Sequence, residues 1–156
     1  MKPDIGLKDN SCKVVADALS GVLADTYTLY LKTHNFHWNV TGPEFPVLHE
    51  MFGTQYNELW TAVDGLAERI RALGYPAPGS YAQFAALTQI KESTKPPAAK
   101  EMIRQLLADN EAIARRAREE QEQVEDVGDT ETGDMMVGRM QVHTKAAWML
   151  RAQLEG

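Results

Sequence analysis

The chain has 156 residues, which is the size of one ordinary domain. Its hydrophobic and charged contents, 44% and 24%, are those of a folded globular protein and exclude intrinsic disorder. The net charge of −6 argues against a free-standing nucleic-acid binder, which normally has a basic surface. We therefore expect a single domain over residues 1–156, with a short N-terminal tail over residues 1–9.

Cysteine content and hydropathy indicate the cellular compartment. Cys12 is the only cysteine, which excludes a disulfide framework and a thiolate zinc site. The first ten residues lack the apolar segment of a secretory signal, and no apolar run approaches the roughly 18 residues of a membrane span. These features predict a cytoplasmic protein with no membrane partner.

Four long stretches free of proline have the periodicity of α-helices. A proline inside a helix costs roughly 3 kcal/mol, so helices are expected between the prolines. Apolar residues recur at alternating steps of three and four, which places them on one helix face. The four stripes run from Val15 to Phe36, from His49 to Leu73, from Ile103 to Val124 and from Met136 to Leu154.

Capping residues, glycine and proline indicate where these helices begin and end. The candidates in chain order are Asn10-Ser11, Gly74, Ser80 before a short helix that ends at Leu87, Pro96-Pro97, and Asp129 or Thr130. Four helices with one long crossover between the second and third are typical of a ferritin-like bundle. The prediction is an all-α, ferritin-like four-helix bundle with a short extra helix in that crossover.

Metal binding is the first chemistry to test, because the chain has four histidines and 22 acidic residues. Di-iron bundles normally carry Glu-x-x-His motifs. The residues three before the histidines are Leu31, His34, Pro46 and Met140. Since no such motif exists, a di-iron centre inside the bundle is not expected.

The second predicted helix has another polar face. Asp64 and Glu68 share it with Gly53, Asn57 and Trp60, and a tryptophan there suggests contact with something other than the bundle's own core. The alternative for the two acids is an ordinary solvated carboxylate pair.

His37 and His49 flank the short turn between the first two helices, so the turn brings them together. His49 and Asp64 are 15 residues apart, or about 22 Å along a helix, whereas metal–ligand bonds are about 2 Å long. These residues can share a metal ion only if a two-fold partner supplies the carboxylates, and an isologous interface then makes two identical sites.

The stretch from Lys32 to Gly42, KTHNFHWNVTG, resembles the signature of the Dps family of DNA-protecting mini-ferritins. The resemblance continues through LHEMF (48–52) and VDGLAER (63–69), and extends to QVHTKAAWML (141–150). It implies a cytoplasmic homododecamer that protects the cell in stationary phase and under oxidative stress. Association with the nucleoid is left open. It also implies a ferroxidase that oxidises Fe(II), preferably with hydrogen peroxide rather than oxygen, and stores ferric iron in its cavity.

Matched position by position, the resemblance implies a two-iron site shared between subunits, without haem. His37 and His49 would come from one subunit, and Asp64 and Glu68 from its partner. Trp38 matches a tryptophan that intercepts radicals beside this site, although helix-end packing explains it equally well.

Gly53 is the main departure from the family pattern, because the family has an acidic residue four positions after the second histidine. The absence of this carboxylate leaves an alternative open, namely a cage with impaired ferroxidase activity that stores iron or coats DNA.

Other matched residues carry weaker expectations. Glu50 matches an acid that promotes mineral nucleation in the cavity, and an ordinary solvated glutamate is an equal alternative. Asp129 and Asp134 match acids of a three-fold iron entrance. Their alternative role is capping of the last helix and compensation of its dipole, which is compatible with the first. His34 and His143 are expected to be packed or core histidines.

DNA binding is expected to be weak or absent at neutral pH. Members of the family that bind DNA often do so through a lysine-rich flexible tail, because phosphate neutralisation supplies most non-specific affinity. Here Lys2 and Lys8 are balanced by Asp4 and Asp9.

Overall fold

The computed structural model describes residues 1–155, and these form five α-helices and no β-strand. The helices are α1 (Asp9–Asn39), α2 (Phe45–Ala72), α3 (Tyr81–Leu87), α4 (Ala99–Asp126) and α5 (Thr130–Ala152). The prediction of an all-α bundle with a short helix in the crossover is confirmed. Over residues 1–155, no helix has the length and apolar character that crossing a membrane requires.

The helices pack mainly as two pairs, α1 with α2 and α4 with α5, while α1 also contacts α3 and α4. The predicted apolar stripes face this interior. On α1, for example, Val15, Leu19, Val22, Leu29 and Phe36 are fully buried. The polar remainder of each long helix therefore stays available for other contacts, and this positions the candidate site.

The helix boundaries agree with the sequence at some ends and not at others. The end of α2 is confirmed, because Gly74 has φ +91° and the amides of Gly74 and Tyr75 donate to the carbonyls of Arg71 and Ile70. This is the Schellman arrangement, and it favours glycine at the left-handed position. Ser80 caps α3 by accepting a hydrogen bond from the Gln83 amide.

Two predicted helix starts were wrong. Helix α1 begins at Asp9 after Lys8, which provides no side-chain cap, so Asn10 and Ser11 lie inside the first turn. Helix α4 begins at Ala99, two residues beyond Pro97. At α1, packing extends the helix beyond its best local capping residue. At α4, the backbone of Ala98 is still extended, so the helix begins only after both prolines.

The crossover is fixed to the bundle by the buried Asp25 carboxylate. It accepts hydrogen bonds from the Thr88 hydroxyl at 2.8 Å, from the backbone and side chain of Gln89 at 2.8 and 2.9 Å, and from Arg116 at 3.0 Å. Gly21 leaves room for Arg116, because a Cβ there would lie 1.9 Å from the guanidinium Nη2.

A hydrogen-bonded network crosses the bundle between α2, α4 and α5. Arg139 pairs with Glu58 and donates to His143 Nε2 at 3.1 Å, and His143 Nδ1 donates to the Asn110 side-chain oxygen at 2.8 Å. Burial, with a smaller contribution from Arg139, lowers the pKa of His143 to about 3. The prediction that His143 is a core histidine is confirmed.

Candidate metal centre

His37 and His49 lie side by side where α1 and α2 meet at the short turn. The Nδ1 atom of His37 is 2.7 Å from the backbone carbonyl oxygen of His49, and Nδ1 of His49 is 2.8 Å from the carbonyl oxygen of His37. The predicted proximity of these two residues is therefore confirmed.

This reciprocal pairing fixes the position of one proton on each ring. A carbonyl oxygen can only accept a hydrogen bond, so each Nδ1 must carry the proton. In the tautomer that this hydrogen bond selects, Nε2 is the ring nitrogen that can bind a metal. Histidines that bind metals typically hold their other ring nitrogen in this way, which fixes the tautomer and the ring orientation. His37 and His49 thus have the chemistry of preorganised metal ligands.

The surroundings of the two rings restrict them further. The rings stack at 3.8 Å with 18° between their planes, and Phe45 stacks on His49 at 5.0 Å. A Cβ at Gly53 would lie 3.2 Å from Cε1 and 3.3 Å from Nδ1 of His37. The glycine therefore does more than remove a carboxylate, since it lets the His37 ring lie close to the backbone of α2.

His34 is a packed histidine, as predicted. Its ring stacks on Tyr56 at 4.0 Å and lies 3.8 Å from Trp38. Burial and the neighbouring His37 lower the pKa of His34 below its usual value. Trp38 itself is 60% exposed. It contacts His34, whose ring centroid lies 6.1 Å from that of the candidate ligand His37.

The two predicted carboxylate ligands lie elsewhere on α2. Asp64 and Glu68 are exposed on the same outward face as Trp60, which is itself 55% exposed in the single chain. Within residues 1–155, no three or more His, Cys, Asp or Glu side chains are grouped closely enough to hold a metal ion. The chain folds so that the histidines and the carboxylates occupy separate parts of its surface.

Asp129 has a structural role in the chain. It caps α5 by accepting hydrogen bonds from the amide and hydroxyl of Thr132, and both of its oxygens accept from Arg69 at 2.9 Å. Burial raises the pKa of this carboxyl, but the bonds from Thr132 and Arg69 outweigh it, so the pKa is lowered overall. Sequence reasoning found the cap and missed the pair with Arg69, which joins α2 to α5 across 60 residues.

The other two acids that match functional positions of the family, Glu50 and Asp134, are exposed. Glu50 lies in the first turns of α2 and Asp134 in those of α5, and both side chains are open in the single chain. Unlike Asp129, neither is committed to a buried ion pair.

Comparison with known proteins agrees with this architecture. The family model described as the ferritin-like domain matches residues 16–156. Fold and family model together define a ferritin-like protein.

Individual relatives identify the family within this class of ferritin-like proteins. "DNA protection during starvation protein 2" of Bacillus anthracis is 34% identical over 142 residues, with 91% of this chain and 97% of the relative covered. A low temperature-induced protein of Nostoc sp. is 38% identical over 156 residues, covering 98% and 87%. The crystal structure of the Dps protein of Vibrio cholerae O1 matches with a TM-score of 0.93 and 30% identity, covering 99% and 98%. The chain belongs to the Dps family of mini-ferritins.

Proposed function

We propose that the chain forms a cytoplasmic cage that binds and oxidises Fe(II) at sites shared by two subunits, and so limits oxidative stress. The observation that carries this proposal is the His37–His49 pair, whose reciprocal hydrogen bonds engage both Nδ1 atoms and leave Nε2 of each ring as the ligand atom. Membership of the Dps family supports it, since the Vibrio cholerae relative is described as one of the ferritin-like diiron-carboxylate proteins.

The shared site follows from the placement of the donors. Asp64 is 15 residues beyond His49 on the same helix, or about 22 Å away. A two-fold partner that lays its α2 antiparallel brings Asp64 and Glu68 of the partner subunit to His37 and His49. The same contact covers the exposed Trp60, and the closed assembly we propose is a homododecamer.

The donor set suits ferrous iron and its oxidation. Two imidazoles and two carboxylates combine ligands that bind Fe(II) with oxygen donors that the ferric product prefers. Two ferrous ions give two electrons to one hydrogen peroxide, which takes up two protons and leaves as two waters. No haem takes part in this scheme.

The product is proposed to be stored inside the cage. Glu50 is the candidate nucleation acid, and Asp134 is the candidate acid of the iron entrance. Asp129 is better suited to supporting that entrance than to lining it, because its carboxylate is only 2% exposed and is paired with Arg69.

Subunit mixing provides the direct test. His37→Ala and Asp64→Ala cages are each expected to lose rapid ferrous oxidation with hydrogen peroxide. When the two variants are dissociated and reassembled together, each mixed dimer regains one site with all four native ligands. Recovered activity in mixed cages supports the shared site, and continued inactivity with intact assembly contradicts it. Wild-type protein assayed with peroxide and with oxygen identifies the oxidant.

Gly53 favours a second candidate function, an iron-storing or DNA-coating cage with impaired oxidation. In that case the wild-type cage binds one ferrous ion per site and oxidises it no faster than the His37→Ala variant does. Two ferrous ions bound and rapidly oxidised per site would exclude it.

A further inference from the structure

The side chains that are most easily oxidised by one electron are concentrated beside the histidine pair. The chain has five tyrosines and three tryptophans. Four of the tyrosines and two of the tryptophans form one connected set of aromatic contacts on α1, α2 and α3. Within residues 1–155, neither Tyr75 nor Trp148 has a ring contact with this set, so they provide internal controls.

The tyrosines form a sequence of short steps that leads away from His37. The ring centroid of Tyr56 lies 5.1 Å from that of His37, and Tyr30 lies 6.2 Å from Tyr56. The next steps are 5.7 Å from Tyr30 to Tyr27 and 6.5 Å from Tyr27 to Tyr81. Each separation is within the usual range of aromatic contacts, so the rings are close enough for electron transfer between neighbours.

The row of tyrosines runs from the edge of the core to the surface. Tyr27 and Tyr30 are half-buried beside the buried stripe of α1 and pack against the core. Tyr81 is 74% exposed in the single chain. Burial and the nearby phenols raise the pKa of Tyr30, so its hydroxyl keeps a proton that it can give up on oxidation.

We propose that Tyr56, Tyr30, Tyr27 and Tyr81 form a relay that carries one-electron oxidising equivalents away from His37 and His49. The inference rests on the proposed function, because the oxidant is the hydroxyl radical that one ferrous ion and hydrogen peroxide produce together with hydroxide. This radical takes a hydrogen atom from the Tyr56 phenol and becomes water. The Tyr56 phenoxyl radical then takes an electron and a proton from Tyr30, and the same exchange repeats at Tyr27 and Tyr81.

The relay protects the proposed ligands. An imidazole that reacts with a hydroxyl radical is permanently altered, whereas a phenoxyl radical is restored when a further ferrous ion supplies an electron and water supplies a proton. Moving the oxidising equivalent from α2 through α1 to α3 therefore disperses it over repairable side chains and adds to the ferrous ions that are oxidised.

A light-driven experiment tests the relay without iron. Cys12 is buried, so Thr41→Cys adds an exposed thiol three residues after Trp38, to which a ruthenium photosensitiser can be attached. After flash oxidation of the labelled cage, peptide mass spectrometry measures oxidation of each tyrosine. We expect oxidation at Tyr56, Tyr30, Tyr27 and Tyr81.

Removing one phenol distinguishes a relay from independent oxidation. Tyr30→Phe keeps the ring and its packing, and is expected to abolish most oxidation at Tyr27 and Tyr81 while oxidation at Tyr56 persists. Tyr56→Phe is a second variant with the same expected loss, and Tyr75→Phe is the matched control with no effect. Unchanged oxidation of Tyr81 in both relay variants, or none in the parent protein, would overturn the proposal.

The same variants treated with ferrous iron and peroxide test the protective role. Tyr56→Phe should increase oxidation of His37 and His49 relative to Tyr75→Phe. Because the light-driven experiment uses no iron, failure of the relay is separated from failure of the proposed iron chemistry.

Discussion

His37 and His49 each donate the Nδ1 proton to the other's backbone carbonyl, across 2.7 and 2.8 Å. Each side chain is therefore held by the main chain of the other, and the short turn between α1 and α2 is closed by its own candidate ligands. The orientation that leaves Nε2 of each ring as the ligand atom is therefore a property of the folded single chain. Assembly then needs to supply only the carboxylates.

Gly53 allows the contribution of a carboxylate to be separated from that of side-chain bulk. Gly53→Asp is expected to raise ferrous affinity and the oxidation rate, because it adds a hard ligand and a residue that favours the helix. The matched control is Gly53→Ala, whose Cβ lies 3.2 Å from His37 Cε1 and moves that ring without adding a ligand. The measurements are ferrous titration and stopped-flow oxidation with peroxide.

The comparison between the two variants decides the interpretation. If the aspartate variant is no faster than the alanine variant, while both assemble, the site has adapted to its glycine and the missing acid does not limit it. A gain specific to aspartate shows that the missing acid limits the natural site.

Much of the fold could be predicted from the sequence, because the apolar stripes depend only on helical geometry. The stripe from Val15 to Phe36 is buried as the spacing indicates. The pair of Arg69 with Asp129 could not be predicted, because it joins residues 60 positions apart. The reciprocal bonds of His37 and His49 also depend on the exact path of the turn, which residue types alone do not specify.

The buried His143 predicts how stability depends on pH. Its pKa is about 3 in the folded chain and near the usual 6.5 when unfolded. Because the folded pKa is the lower one, the stabilisation is complete above pH 6.5 and is lost as the pH falls from 6.5 towards 3. The unfolding free energy should decrease through this group by about 1.4 kcal/mol per pH unit below 6.5.

Denaturant unfolding between pH 6.5 and 5 measures this slope while most carboxylates stay ionised. Arg139, Glu58 and Asn110 complete the network around the ring. His143→Gln keeps a polar side chain without a titrating group, so it should flatten the pH dependence. An equal slope in both proteins would mean that other groups cause it.

Gly21 predicts an unusual cost for a glycine-to-alanine change inside a helix. Such a change normally stabilises a helix by roughly 0.5–1 kcal/mol. At position 21 the new Cβ would displace Arg116 and weaken the hydrogen-bonded cluster at the buried Asp25. Loss of a partner by a buried charged group is destabilising by about 1–3 kcal/mol, so Gly21→Ala should lower stability.

Gly138 of α5 is the matched control, since a Cβ there has no heavy atom within 4 Å. Gly138→Ala should leave stability unchanged or raise it. Thermal and denaturant unfolding measure the stability of both variants. Equal effects at the two positions would contradict the proposed role of Gly21.

DNA binding is the last property for which charge and structure make a definite prediction. Phosphate neutralisation supplies most non-specific affinity for DNA, and it requires free basic groups. In the tail of residues 1–8, Lys2 pairs with Asp9, and Pro3 packs close to Gly74 at the end of α2. Since each chain has a net charge of −6, a cage of twelve would repel a duplex at neutral pH. We expect weak or no binding in a gel-shift assay at pH 7.5 and about 0.15 M salt, and stronger binding at lower pH or with magnesium.

The variant Asp9→Asn frees Lys2 and should strengthen the residual binding. The control Asp17→Asn makes the same charge change beside Lys13 within α1 and should have a smaller effect. A tight complex of the wild-type cage without divalent metal would show that a basic surface forms on assembly.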